Sequence, residues 1–146
     1  MKNNLDLGEE YIELTINNDE NRVIRVDLSD FGMIERLNES YKKIDEFQKN
    51  HKDIKINPDG TAADKLNESA EILKAFNTLV REQIDYILDS KVSDIAFGNK
   101  NPLSTVKGVP LYQRFLNALS PYIQKIMEKE KKESNKRVEK YMKVIR

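Results

Sequence analysis

Reactive side chains are scarce in this chain of 146 residues, which has no cysteine, no tryptophan and a single histidine. Without cysteine there is no disulfide frame, thiol nucleophile or thiolate metal site. His51 stands among Asn50, Lys52 and Asp53, past the apolar stripe of its segment, and no glycine-flanked serine elbow accompanies it. It reads as an exposed, chemically idle imidazole. Ser104-Thr105-Val106-Lys107 and Ser40-Tyr41-Lys42-Lys43 both match a serine-x-x-lysine pattern. Two hits in so short a chain, without companion motifs, read as chance. Gly8, Gly32, Gly60, Gly98 and Gly108 never fall in a phosphate-cradling spacing. Asp85, Asp89 and Asp94 lack the alternating ligand spacing of a calcium loop, and the first two read as a solvated row on a helix. An acid–base pair among the 25 carboxylates is open to the sequence, but nothing nominates one. Catalytic residues, metal ligands and cofactors are therefore all expected to be none.

Around these residues the apolar pattern describes the scaffold. Ile12, Leu14 and Ile16 alternate with polar neighbours, as do Ile24, Val26 and Leu28, so a β-hairpin is expected over about 11–28 with Asn17–Asn21 between the strands. Ser29 and Asp30 offer an N-cap to a helix over about 30–49, with Phe31, Ile34, Leu37, Tyr41, Ile44 and Phe47 as its apolar stripe. Asp53–Gly60 reads as a loop through Asn57-Pro58-Asp59-Gly60. Thr61 with Asp64 then opens a second long helix over about 62–89, striped by Leu66, Ala70, Leu73, Phe76, Val80, Ile84 and Ile87. Ser93–Phe97 reads as one helical turn stopped by Gly98. Pro110 is placed to start a helix over about 110–127, and Ser120-Pro121 either kinks it or starts another. From 128 to 146 the chain is a charged helical or mobile tail. The expected architecture is α+β and predominantly helical: one globular domain over 1–127, with the hairpin packed on three or four helices.

Charge is balanced overall at 25 basic and 25 acidic groups, which argues against a nucleic-acid or membrane-surface binder. It is uneven along the chain. Residues 1–50 carry 7 basic and 12 acidic groups, 51–123 carry 9 of each, and 124–146 carry 9 and 4. An acidic head and a basic tail suit head-to-tail self-association or docking on a charged partner, and equally suit two solvated ends. The acidic start has no apolar leader core, and no window is long and apolar enough to span a bilayer, so a cytoplasmic location is expected.

The order of parts, with Asp94-Ile95-Ala96-Phe97-Gly98 and then Phe115-Leu116-Asn117-Ala118-Leu119-Ser120-Pro121-Tyr122-Ile123 before a lysine-rich end, resembles the tail assembly chaperones of long-tailed (siphovirus-type) phages and prophages of Gram-positive bacteria. The resemblance implies a non-enzymatic role. Such proteins hold the tape-measure protein soluble, recruit tail-tube protein, act in the host cytoplasm and are absent from the finished virion. By this resemblance the partners are tape-measure and tail-tube proteins, with no nucleic acid and no membrane. The expected contact surface joins the hairpin edge at Ile12 and Leu14 to Phe97, Leu103, Leu111 and Phe115. These same side chains could instead close the domain's own core. Exposed strand edges also invite a homo-oligomer. Two other classes stay open: a generic adaptor domain, and a small hydrolase with an unrecognised carboxylate site.

Overall fold

The computed structural model describes residues 2–51 and 63–145. It begins with an antiparallel hairpin of β1 (Tyr11–Ile16) and β2 (Asp19–Asp27), followed by α1 (Gly32–Asn50) and α2 (Ala63–Leu88). A single-turn helix α3 (Ser93–Phe97), a two-residue ribbon of β3 (Thr105–Val106) and β4 (Val109–Pro110), and the long α4 (Leu111–Ile145) complete it. The architecture is α+β and predominantly helical, with the N-terminal hairpin on the helices, as the periodicity predicts. The expected loop at Asp53–Gly60 and the Thr61 cap lie outside the described residues.

In the hairpin Ile12 faces Val26 and Leu14 faces Ile24, so four apolar side chains share one face. Ile24 and Val26 are buried, while Ile12 and Leu14 are half-buried. The loop is tighter than the polar stretch Asn17–Asn21 suggests. Asn17 and Asn18 both adopt positive φ (53° and 59°), the mirror-image turn that matches strand twist, and β2 starts at Asp19 with a register shift between Thr15 and Ile16.

The core is one cluster. Met33 and Ile44 of α1, Phe76, Val80, Ile84 and Ile87 of α2, and Tyr112, Leu116, Leu119, Ile123 and Ile126 of α4 meet Ile24 and Val26 of β2. Two expectations about its lining need correction. On α1 the buried residues are Met33, Ser40 and Ile44, with Ile34, Leu37 and Phe47 half-buried beside them, whereas Phe31 and Tyr41 are 52% and 49% exposed. The buried face includes a polar residue: Ser40 is sealed and its hydroxyl donates to Gln83 Oε1 at 2.9 Å, joining α1 to α2. On α2 the stripe is buried only from Phe76 onward, and Leu66 is 62% exposed. The expected N-cap of α1 also differs. Phe31 occupies that position without a side-chain bond, because Ser29 bonds Asp27 and Asp30 pairs with Arg36.

Arg36 in turn donates to the carbonyls of Tyr86 (2.9 Å) and Ile87 (3.1 and 3.0 Å), closing the C-terminal end of α2. His51 is half-buried rather than exposed. Its ring stacks on Phe47 at 4.2 Å, and its Nδ1 lies 2.8 Å from the Phe47 carbonyl, which can only accept, so that nitrogen donates.

The C-terminal half departs most from expectation. Pro110 belongs to β4, and α4 starts at Leu111 and runs 35 residues, about 52 Å at the α-helical rise. It passes through Pro121 unbroken. Pro121 lacks the N–H that would meet the Asn117 carbonyl, and both residues are exposed. Among the described side chains of α4, Ile126 is the last one buried. Beyond Lys129, which pairs with Glu10, every side chain described is exposed.

Candidate partner-binding site

The short helix α3 and the start of α4 are held by polar staples that the sequence scatters widely. Asp85, expected on the wet face of α2, accepts from the backbone N–H of Val92 (2.8 Å) and Ser93 (2.7 Å) and from the Ser93 hydroxyl (3.1 Å). It thereby caps the first turn of α3. Arg81 pairs with Asp94 at 2.8 Å and donates to the carbonyls of Gly98 (2.7 Å) and Lys100 (2.9 Å), with its guanidinium 5.8 Å from the Phe97 ring centre. From the hairpin, Arg22 donates to the carbonyls of Ile95 (3.0 Å) and Ala96 (2.7 Å). Gly98 ends the turn at φ 58°, ψ −129°, a conformation open to glycine.

A five-residue helix cannot hold itself in water, so these bonds are what place Phe97. Its ring is 5% exposed and meets Phe115 edge-on, with centroids 6.0 Å apart. The β3–β4 ribbon turns at Lys107 and Gly108, both at positive φ. Arg114 reaches back to the Val106 carbonyl with Nε and a terminal nitrogen (3.1 and 2.8 Å), while Leu111 N–H meets the Ser104 carbonyl at 2.9 Å. The ribbon thus fixes where α4 begins.

Between the hairpin tip, α3 and α4 lies a pocket of about 190 Å³. Thr15, Ile16 and Asn17 form one wall, Ala96 and Phe97 the floor side, and Leu111, Arg114, Phe115 and Ala118 the wall from α4. Arg114 is its one ionisable lining residue. The structure therefore brings together three of the residues expected from sequence: Phe97, Leu111 and Phe115. Ile12, Leu14 and Leu103 are half-buried against the core and do not line this pocket. Missed were Thr15, Ile16, Asn17, Ala96, Arg114 and Ala118. The i, i+4, i+7 spacing of Leu111, Phe115 and Ala118 was a usable signal. The arrival of the hairpin tip was not, since it depends on packing across some 80 residues of chain.

Several of the residues weighed above for their chemistry make structural contacts. Ser40 of the first serine-x-x-lysine match is buried against Gln83. Asp85 caps a helix, Asp94 is paired and Asp89 is exposed at a helix end with φ 49°. Among the described residues no group of three or more His, Asp or Glu is arranged to hold a metal ion, and no helix is long and apolar enough to cross a membrane. Two ionisable groups outside the pocket are shifted. The Tyr86 phenol is held above its usual pKa, chiefly because it donates to the Glu39 carboxylate at 2.6 Å. The Lys129 ammonium is likewise raised, chiefly by its hydrogen bond to Glu10.

Compared with protein families, with characterised proteins and with solved structures, the chain matches none.

Proposed function

We propose that this chain is a non-enzymatic assembly chaperone of the phage-tail type, which holds the tape-measure protein soluble and recruits tail-tube protein during tail morphogenesis. The observation that carries the reading is the pocket at the hairpin tip: apolar side chains from three separate elements, opened to solvent and fixed in place by arginine and aspartate staples. Such a notch takes one apolar anchor of a partner helix, and the charged surroundings keep the loaded complex in solution. Phe97, Leu111 and Phe115 serve both as core and as pocket wall, so the two readings of these residues merge. In the same reading the protein works in the host cytoplasm and leaves before the virion is complete.

The test is co-expression with a tape-measure protein. Ala118 is exposed on α4 and lines the pocket, so Ala118→Arg fills the notch without entering the core. The variant should keep its helical circular dichroism and lose the ability to keep the tape-measure protein soluble. Undiminished solubilisation by a folded Ala118→Arg protein would overturn the pocket as the holding site. Failure of the wild-type chain to retain any tape-measure protein in solution would overturn the function.

A further inference from the structure

The segment preceding the hairpin is unlike any other exposed stretch of the molecule. Leu5 and Leu7 are 87% and 94% exposed, the two most exposed large apolar side chains among the described residues. A local turn flanks Leu7: Asp6 accepts from the Gly8 N–H at 2.9 Å, and Gly8 sits at φ 75°. Residues 5–10 carry three carboxylates, on Asp6, Glu9 and Glu10, and no cation. The pocket at the hairpin tip offers the converse: apolar walls, one guanidinium and no carboxylate among its lining residues. That guanidinium has five N–H donors, of which the Val106 carbonyl takes two, and among the described residues Arg114 forms no ion pair.

Chain length and exposure together bear on whose segment enters. Glu10 is tied down twice, its carbonyl accepting from Leu28 N–H at 2.7 Å and its carboxylate pairing with Lys129. From Glu10 along β1 to Ile16 at the pocket is six strand residues, about 20 Å. From Glu10 back to Leu7 the chain spans at most about 10 Å, and to Leu5 about 17 Å. Leu7 falls short of the pocket of its own chain, and Leu5, 87% exposed, is not seated in it. We propose that the N-terminal segment of one copy docks into the hairpin-tip pocket of a second copy, with Leu5 or Leu7 as the apolar anchor and the neighbouring carboxylates facing Arg114. The inference rests on the pocket accepting an apolar anchor, as in the function proposed above, and makes self-association a competitor of partner binding at that site. Donor segment and acceptor pocket lie at opposite ends of the hairpin, so the contact is heterologous and joins copies head to tail.

Sedimentation velocity on the full chain tests this, with two variants that leave the core untouched. The wild type should associate as its concentration rises. Leu5→Asp/Leu7→Asp, which removes the anchors, and Ala118→Arg, which blocks the pocket, should each remain monomeric. An equimolar mixture of the two should form a 1:1 pair and go no further, because one supplies the only intact pocket and the other the only intact segment. A monomeric wild type, an associating segment variant or a mixture that stays monomeric overturns the inference. Tape-measure solubilisation separates it from the function. The segment variant keeps its pocket and should solubilise at least as well as wild type. Normal self-association without tape-measure capture sinks the chaperone reading alone, and capture by a strictly monomeric wild type sinks the docking inference alone.

Discussion

At the scale of single residues the fold depends on polar groups that substitute for apolar ones. Ser40 and Gln83 satisfy each other inside the α1–α2 contact, so removing one partner leaves the other dry and unbonded. Ser40→Ala should cost about 1–3 kcal/mol in denaturant unfolding, and Ser40→Ala with Gln83→Leu should recover most of that loss. A single-variant cost that the double variant does not relieve would show that shape, not the bond, matters there. Tyr86 gives a pH signature. Its phenol holds its proton more tightly in the native state than in the unfolded chain, because Glu39 accepts it. The stabilisation from that bond is therefore fully present below about pH 10, the unfolded tyrosine value, and is lost as pH rises through the higher native value. Tyrosine absorbance at 295 nm should show a late-titrating phenol, and Glu39→Gln should bring that phenol back toward the usual tyrosine value. These roles were not legible beforehand. A serine on a helix reads as solvated, and Asp85 reads as a wet carboxylate, until the partner arriving from elsewhere is known.

At the scale of elements the sequence was most readable where one period ran without interruption. Phe76, Val80, Ile84 and Ile87 mark the buried half of α2, and Gly98 marks the stop of α3, as their pattern predicts. Turn chemistry was harder to bound: the Asn17-Asn18 turn sits inside a polar run whose later residues are strand, and the β3–β4 ribbon leaves almost no apolar trace. The end of α4 was read as a separate tail because its apolar residues stop. The helix continues regardless, since glutamates and lysines are good helix formers with favourable four-residue pairings. Continuity is not burial, and truncation separates the two. A chain ending at Lys129 keeps Ile126 and the bond to Glu10, and its midpoint of unfolding should match the full chain within about 0.5 kcal/mol. Ending at Gln124 removes both and should cost about 2 kcal/mol or more, the scale of a lost core isoleucine. Equal losses from the two truncations would mean that the distal helix packs on the body after all.

At the scale of the whole molecule, stability should be steeply uneven along one continuous helix, and hydrogen exchange can map it. Among the described residues, the buried side chains of α4 lie between Tyr112 and Ile126, and they share a cluster with α1, α2 and β2, so these segments can open only together. The hairpin belongs to that unit because two strands alone are marginal in water; Ile24 and Val26 are under the helices, and Arg22 holds α3. Beyond Lys129 the described side chains are exposed, so the amides there depend on local helix formation for their protection. Exchange should therefore be slow and uniform across 24–26, 76–88 and 112–126, with one opening energy close to the global unfolding value. It should rise by orders of magnitude within about two turns after Lys129. Far-UV circular dichroism should correspondingly lose a fraction of its helix gradually at low denaturant, while the near-UV tyrosine signal of the Phe47–Phe76–Tyr112 cluster stays constant until the main transition. Such decoupling makes the distal helix a basic arm, separate from the body. An α4 protected evenly to its end, melting in step with the tyrosine signal, would contradict a body-and-arm division and place the arm within the cooperative core.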